Sequence, residues 1–321
     1  MYKKVLILFS LLMPITVLAD ETDDLINNAQ QIFEATRIVC SGISDEIGKV
    51  ANISKANTAV TAVGTVAAGG ALAVGIAKSN EEKEIEKLID EMCKSGGCTA
   101  EGVEAMSDEQ FLLQVLQPMA RIAELQQLQQ KIDKSKKLGN WRTGLMAGTI
   151  GTNLASAIMS GINIDQSDLI QHISACNEMV KTIPNIEYEL KKAGIGPMHT
   201  PVVKQLSNVR TWCDQININD IEKIEKRMKA VMGTSIAGGA IGIVGVGTSA
   251  AANSDKYMGL KNKTLLSEED KKKEHALNTT ANVMAGANTV AGAVETGLNI
   301  SLITLTKKLM EQANRCEEVL Q

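Results

Sequence analysis

Four stretches of the chain carry almost no charge, and they limit what it can fold into more than any other feature. They run over 56–77, 143–164, 230–254 and 276–306, and Glu295 is the single Asp, Glu, Lys or Arg among them. Each is about 22 residues or longer, so as a helix each is ~33 Å long. Charged segments such as EEKEIEKLIDEM and NDIEKIEKRMKAVM border them, with apolar residues at helical spacing. No alternating strand pattern persists, and aromatic residues make up only 2% of the chain. The apolar content is Ala, Ile, Leu, Val and Met, which favours packed helices over a sheet. The expected fold is all-α, an elongated bundle of long helices. All five prolines except Pro118 are expected outside helix interiors.

The stretches are related in pairs. GTVAAGGA, starting at Gly64, returns as GTSIAGGA, starting at Gly233. NLASAIMSGIN in the second stretch matches TVAGAVETGLN in the fourth. RIVC precedes the first stretch and RTWC the third, while Cys176 and Cys316 follow the second and fourth. Order, phrase and cysteine placement repeat together, so the expectation is two duplicated antiparallel helical hairpins. The corresponding division is 20–180 for the first hairpin, with a tip insertion at 81–137, a connector at 181–201, and 202–321 for the second.

Folding each hairpin about its midpoint brings Cys40 opposite Cys176 and Cys213 opposite Cys316. A local bridge is expected between Cys93 and Cys98 in CKSGGC. A scheme across the halves, Cys176 with Cys213 and Cys40 with Cys316, also respects the repeat. A disulfide reading suits an even number of cysteines in an exported chain. Export is expected because MYKKVLILFSLLMPITVLAD has a basic start, a short apolar run and small residues before position 20. The expected location is therefore the periplasm, the envelope or the extracellular space, with membrane association as a further option.

Glycine inside a helix costs about 1 kcal/mol relative to alanine, so several in one helix imply compensating contacts. Gly64, Ala68, Ala71 and Gly75 share one helical face. Gly144, Gly148, Gly151 and Ala155 have the same spacing, as do Gly238, Gly242, Gly245 and Ser249. These three small-residue stripes are expected to be helix-contact faces, because a surface without side chains lets a second backbone approach.

Catalytic chemistry has no signature here. The three histidines are scattered, and no GxSxG, HExxH or GxxxxGK[ST] is present. His172 precedes Cys176 by one turn, but an oxidised Cys176 is no nucleophile. No metal ligand set, cofactor or small-molecule substrate is inferred. A formal charge of −4 with few aromatics argues against nucleic acid. The expectation is a non-enzymatic structural or interaction protein with a protein partner or self-association. The alternative is a membrane-inserting or pore-forming protein that contacts lipid, with Glu295 lining an assembled interior. Against insertion stand the Asn and Thr residues of the first and last stretches and the charge of Glu295. The layout of long helices with uncharged hairpins is loosely similar to that of helical pore-forming toxins, with no shared motif.

Overall fold

A computed structural model describes residues 21–94, 122–164, 167–198 and 200–321. The expected leader over 1–19, the Cys93–Cys98 bridge and the middle of the tip insertion lie outside the described residues. The described chain is all-α, with no strand among the described residues. The helices are α1 (Glu21–Cys40), α2 (Ile43–Lys94), α3 (Ile122–Ile164), α4 (Ser167–Lys192), α5 (Pro201–Cys213), α6 (Ile218–Ala252), α7 (Asp255–Met258), α8 (Leu260–Thr264) and α9 (Glu268–Leu320).

The chain forms two compact units. One comprises the chain up to Gly48, Ser167–Ile221 and Lys307–Gln321; the other comprises Lys49–Gln166 and Glu222–Thr306. Each unit therefore draws on both halves of the sequence.

The first unit has a conventional interior. α1 packs on α4 and α5, and Phe33, Ile173, Ile183, Leu190, Leu206 and Leu309 are buried. Two disulfides join its helices, Cys40 to Cys176 and Cys213 to Cys316. The sulfurs of Cys40, Cys176 and Cys316 lie within 4.8 Å of one another, but as disulfides they offer no thiolate to a metal. Two glycines have left-handed backbone. Gly42 (φ 83°) lies in the turn between α1 and α2, and Gly194 (φ 73°) ends α4. The Ile195 amide donates to the Leu190 carbonyl (2.9 Å) and the Gly194 amide to that of Lys191 (3.1 Å). That paired closure requires a residue free to adopt positive φ.

One expectation fails in this unit. The segment 181–201, read as a connector, is helical as far as Lys192, and Pro184 lies inside α4. Proline removes one amide and costs about 3 kcal/mol in a helix interior. Ile183, Ile186 and Leu190 continue the buried face across it, and burying such side chains contributes roughly 1.5–3 kcal/mol each. Packing outweighs the break that local propensity predicts.

The second unit is built from the long segments of α2, α3, α6 and α9. Contacts between α2 and α3 keep an antiparallel register. Asn57 meets Ser160, Gly64 meets Thr152 and Gly75 meets Arg142. α6 and α9 do the same, with Ser235 at Glu295 and Gly245 at Met284. α2 is also antiparallel to α9, from Asn57 with Asn299 to Lys78 with Asn278, and α3 to α6, from Arg142 with Ser249 to Ser156 with Ser235. Buried positions step by three and four along each helix. On α9 they are 274, 278, 281, 285, 288, 292, 295, 299, 302 and 306.

Candidate functional site

The inward stripe of the second unit changes chemistry along its length. At its ends the buried residues are large and apolar, as with Ile85, Ile89, Leu128, Ile132, Ile224 and Leu302. Across the uncharged stretches they are mostly Gly, Ala, Ser, Thr and Asn, with Met146, Val231, Leu302 and the single ion Glu295, and Lys78 and Arg142 stand at the edge.

The interior there is layered. Arg142 donates from Nε to Ser249 Oγ (2.8 Å), from Nη1 to Asn282 Oδ1 (3.2 Å) and from Nη2 to Asn278 Oδ1 (2.9 Å). Lys78 pairs with Glu82 at 3.0 Å and donates to Asn278 Oδ1 at 3.1 Å. Asn278 in turn donates to Glu82 Oε2 at 2.8 Å. A second buried pair, Lys263 with Glu274, lies toward the same end. Next comes a small apolar layer of Ala71, Met146 and Ala285. Beyond it Asn153 donates to Asn288 Oδ1 (3.1 Å), and Asn288 donates to Thr149 Oγ1 (2.8 Å). Glu295 follows, accepting at Oε1 from the hydroxyls of Ser156 and Ser235. The last layer is Asn57, which donates to Ser160 Oγ (3.0 Å) and Asn299 Oδ1 (3.4 Å).

Burial governs the Glu274 carboxyl, beyond the uncharged stretches. It raises that carboxyl above its ordinary value, against Lys263. Removal from water outweighs the attraction of the partner.

The outward surface is the reverse. Exposed residues between 56 and 77 on α2 are Ala and Val, with Ile76. On α3 between 141 and 158 they are Trp141, Gly144, Ala147, Gly148, Gly151, Leu154 and Ile158. α6 exposes Ile236, Ile243 and Val244, and α9 exposes Val283, Val290, Val294 and Ile300. Exposed threonine on α9, at 279 and 304, is confined to the margins of this belt. The ions at this depth, Lys78, Arg142 and Glu295, are 0%, 0% and 1% exposed. Apolar side chains face out and polar ones face in.

The small-residue stripes separate accordingly. Gly64, Ala68, Ala71 and Gly75 are buried, as are Gly238, Gly242, Gly245 and Ser249. A Cβ on Gly75 would meet Asn282 Oδ1 at 1.9 Å, and one on Gly245 would meet Met146 Cε at 2.2 Å. The stripe on α3 is a correction. Gly144, Gly148 and Gly151 are exposed with nothing within 4 Å, and Ala155 is half-buried. The inward face of α3 is Arg142, Met146, Thr149, Asn153, Ser156 and Ser160. These polar groups find their partners inside, so they determine which side of the helix turns in. Glycine spacing identifies a face without saying where it points.

Arg142, Asn153 and Ser156 were not among the residues singled out from the sequence, and Asn278 and Asn288 entered there only as residues that stand against insertion. Their signal is polar residues at intervals of three and four inside an uncharged stretch, as at 149, 153, 156 and 160. His172 lies in the other unit, half-buried, with Nδ1 3.3 Å from Glu46 Oε2.

Two described stretches, Asp23–Met92 and Pro201–Ala252, hold an apolar segment long enough to cross a membrane, and only 28% and 33% of those segments is buried. No protein family, curated protein or solved structure matches the chain.

Proposed function

We propose that the second unit is a membrane-inserting helical bundle whose apolar belt contacts lipid, and that the chain is exported to reach that membrane. One observation carries the reading: across four helices, exposed residues of the belt are apolar, threonines at its margins apart, while Lys78, Arg142, Glu295, Asn57, Asn153, Asn278, Asn288 and Asn299 are buried. Water favours the opposite arrangement. In hydrocarbon the arrangement is the stable one, because polar groups need partners there and apolar groups do not.

The dimensions agree. Ile76 and Trp141 stand beside the Gly75–Arg142 contact, and Ile158 and Ile300 beside the Asn57 layer. Positions 57 and 76 are ~29 Å apart along a helix, against a hydrocarbon core of ~30 Å. Trp141 sits at one edge of the belt, where aromatic side chains favour the interface. The same inversion is absent from the disulfide-bonded unit, which has an ordinary apolar core.

In this reading the chain is two duplicated hairpins, with Gly/Ala-rich faces on α2 and α6 bringing helices together and an amide and hydroxyl column between them. The role is non-enzymatic, and lipid is the partner. The soluble structural reading is the weaker one, since it leaves a wide apolar belt in water. Vesicle flotation of the exported chain, followed by alkaline washing and protease digestion, tests the proposal. Retention on vesicles with protected fragments containing 56–77 and 276–306 is expected. Protein that stays in the aqueous fraction at both neutral and mildly acidic pH contradicts it.

A further inference from the structure

Glu295 differs from the other interior ions. Lys78 has Glu82, and Lys263 has Glu274. Arg142 has three neutral acceptors. Glu295 is the carboxylate within the uncharged stretches, and its hydrogen-bond partners are two serine hydroxyls from two other helices. No basic side chain lies within ion-pair distance of it among the described residues.

The protons around it can be counted. Four close oxygen–oxygen contacts meet there. Ser156 Oγ and Ser235 Oγ each approach Glu295 Oε1, the two hydroxyls lie 2.9 Å apart, and Ser235 Oγ lies 2.8 Å from the Val231 carbonyl. Each hydroxyl has one proton. With Glu295 ionised, both protons point at the carboxylate, and the Ser156–Ser235 and Ser235–Val231 contacts are lone pair against lone pair. With Glu295 protonated, a single chain runs from the carboxyl proton to Ser156, from Ser156 to Ser235, and from Ser235 to the Val231 carbonyl. Three protons fill three of the four contacts where two fill only two, so a third proton suits the site better.

We propose that Glu295, with Ser156 and Ser235, is a proton-binding site, and that uptake of one proton from water by the Glu295 carboxylate gates entry of the bundle into lipid. The inference rests on the membrane reading above. Glu295 lies one helical turn inside the Asn57–Asn299 edge of the belt, where an unpaired carboxylate in hydrocarbon is costly, whereas the neutral acid is a donor in the chain. An alkali cation fits less well, because one carboxylate and two hydroxyls supply too few oxygens to replace its hydration shell.

Titratable neighbours do not compete. α2 presents Thr61 at this level, bonded to Thr296, and its nearest charge is the exposed Lys55. The inward faces of α3 and α6 here contribute Ser156 and Ser235. Arg227 of α6, two turns away, is bound to Ser301, and Lys229 of α6 and Lys307 of α9 are exposed. Lys78 and Arg142 act at the Asn278 layer, ~25 Å along α9.

The test measures vesicle insertion of the exported chain by protease protection between about pH 7.5 and about pH 5, a range reached by perturbed carboxyls. The variants are Glu295→Gln and Ser235→Ala, with helicity checked in parallel. The wild-type chain is expected to insert at least about tenfold more at the lower pH, one protonation step giving tenfold per unit. Glu295→Gln, which cannot ionise, is expected to insert at the higher pH as fully as the wild type does at the lower. Ser235→Ala, which removes a donor to the ionised form, is expected to move the midpoint upward. Should Glu295→Gln fail to fold, the Ser235→Ala midpoint decides alone. Equal wild-type insertion at both pH values, or a pH response retained in Glu295→Gln, overturns the proton site and leaves the membrane reading standing. Absence of insertion by every variant at every pH refutes the membrane reading itself.

Discussion

Val66→Asp separates lipid from water as the solvent of the belt. Val66 is 76% exposed and stands near the middle of the stretch 56–77, ten residues or ~15 Å from either end. If the belt faces water, the substitution touches nothing and changes stability by no more than about 0.5 kcal/mol, as for other open surface sites. If the belt faces hydrocarbon, an aspartate at mid-depth costs ~3 kcal/mol on insertion scales. That is roughly a hundred-fold loss of partitioning into vesicles. Aspartate is the appropriate probe because a lysine side chain would reach back to the interface. Thermal unfolding in buffer and flotation with vesicles, measured on the same preparation, give the two quantities. Unchanged unfolding with a hundred-fold weaker partitioning is expected. Unchanged partitioning, or loss of folding in buffer, refutes the argument.

Glycine substitutions distinguish the inward and outward stripes. Gly148→Ala, with nothing within 4 Å of the added Cβ, is expected to raise helical stability by about 1 kcal/mol. Gly75→Ala, whose Cβ meets Asn282 and Arg142, is expected to lower it by about 1–3 kcal/mol; denaturant titration followed by circular dichroism reads both. Reduction of the disulfides is expected to destabilise the first unit. The linked cysteines are 136 and 103 residues apart, so loop closure alone is worth ~5 kcal/mol for each bridge. Unfolding with and without reductant measures the loss, and an unchanged midpoint would mean that packing alone holds this unit.

The helical character of the chain was legible because nothing in it alternates and each long stretch carries apolar or small residues at helical spacing. The Cys40–Cys176 and Cys213–Cys316 bridges agree with one of the two pairings offered by position, the one in which folding the sequence into two hairpins brings each pair nearly opposite. On α2 and α6, Gly64, Gly238 and Gly245 are buried where an added Cβ would clash, and that exclusion is a property of the packing that spacing alone does not state. On α3 the same spacing misled. Gly144 and Gly148 tolerate an open surface, whereas Arg142 and Asn153 require partners that only tertiary structure supplies. Pro184 was misjudged for a related reason, local propensity being weaker than a continuous buried face. The inversion itself was hidden, because a list of uncharged residues does not say which of them face one another.

Depth-dependent quenching of a single tryptophan probes the belt directly. Val66→Trp in a background of Trp141→Phe and Trp212→Phe places the one indole at the centre of α2's exposed face. In vesicles of lipids brominated at defined positions along the chain, the account predicts strongest quenching by bromines nearest the bilayer centre and protection from aqueous acrylamide. Quenching by acrylamide with no dependence on bromine depth would contradict it.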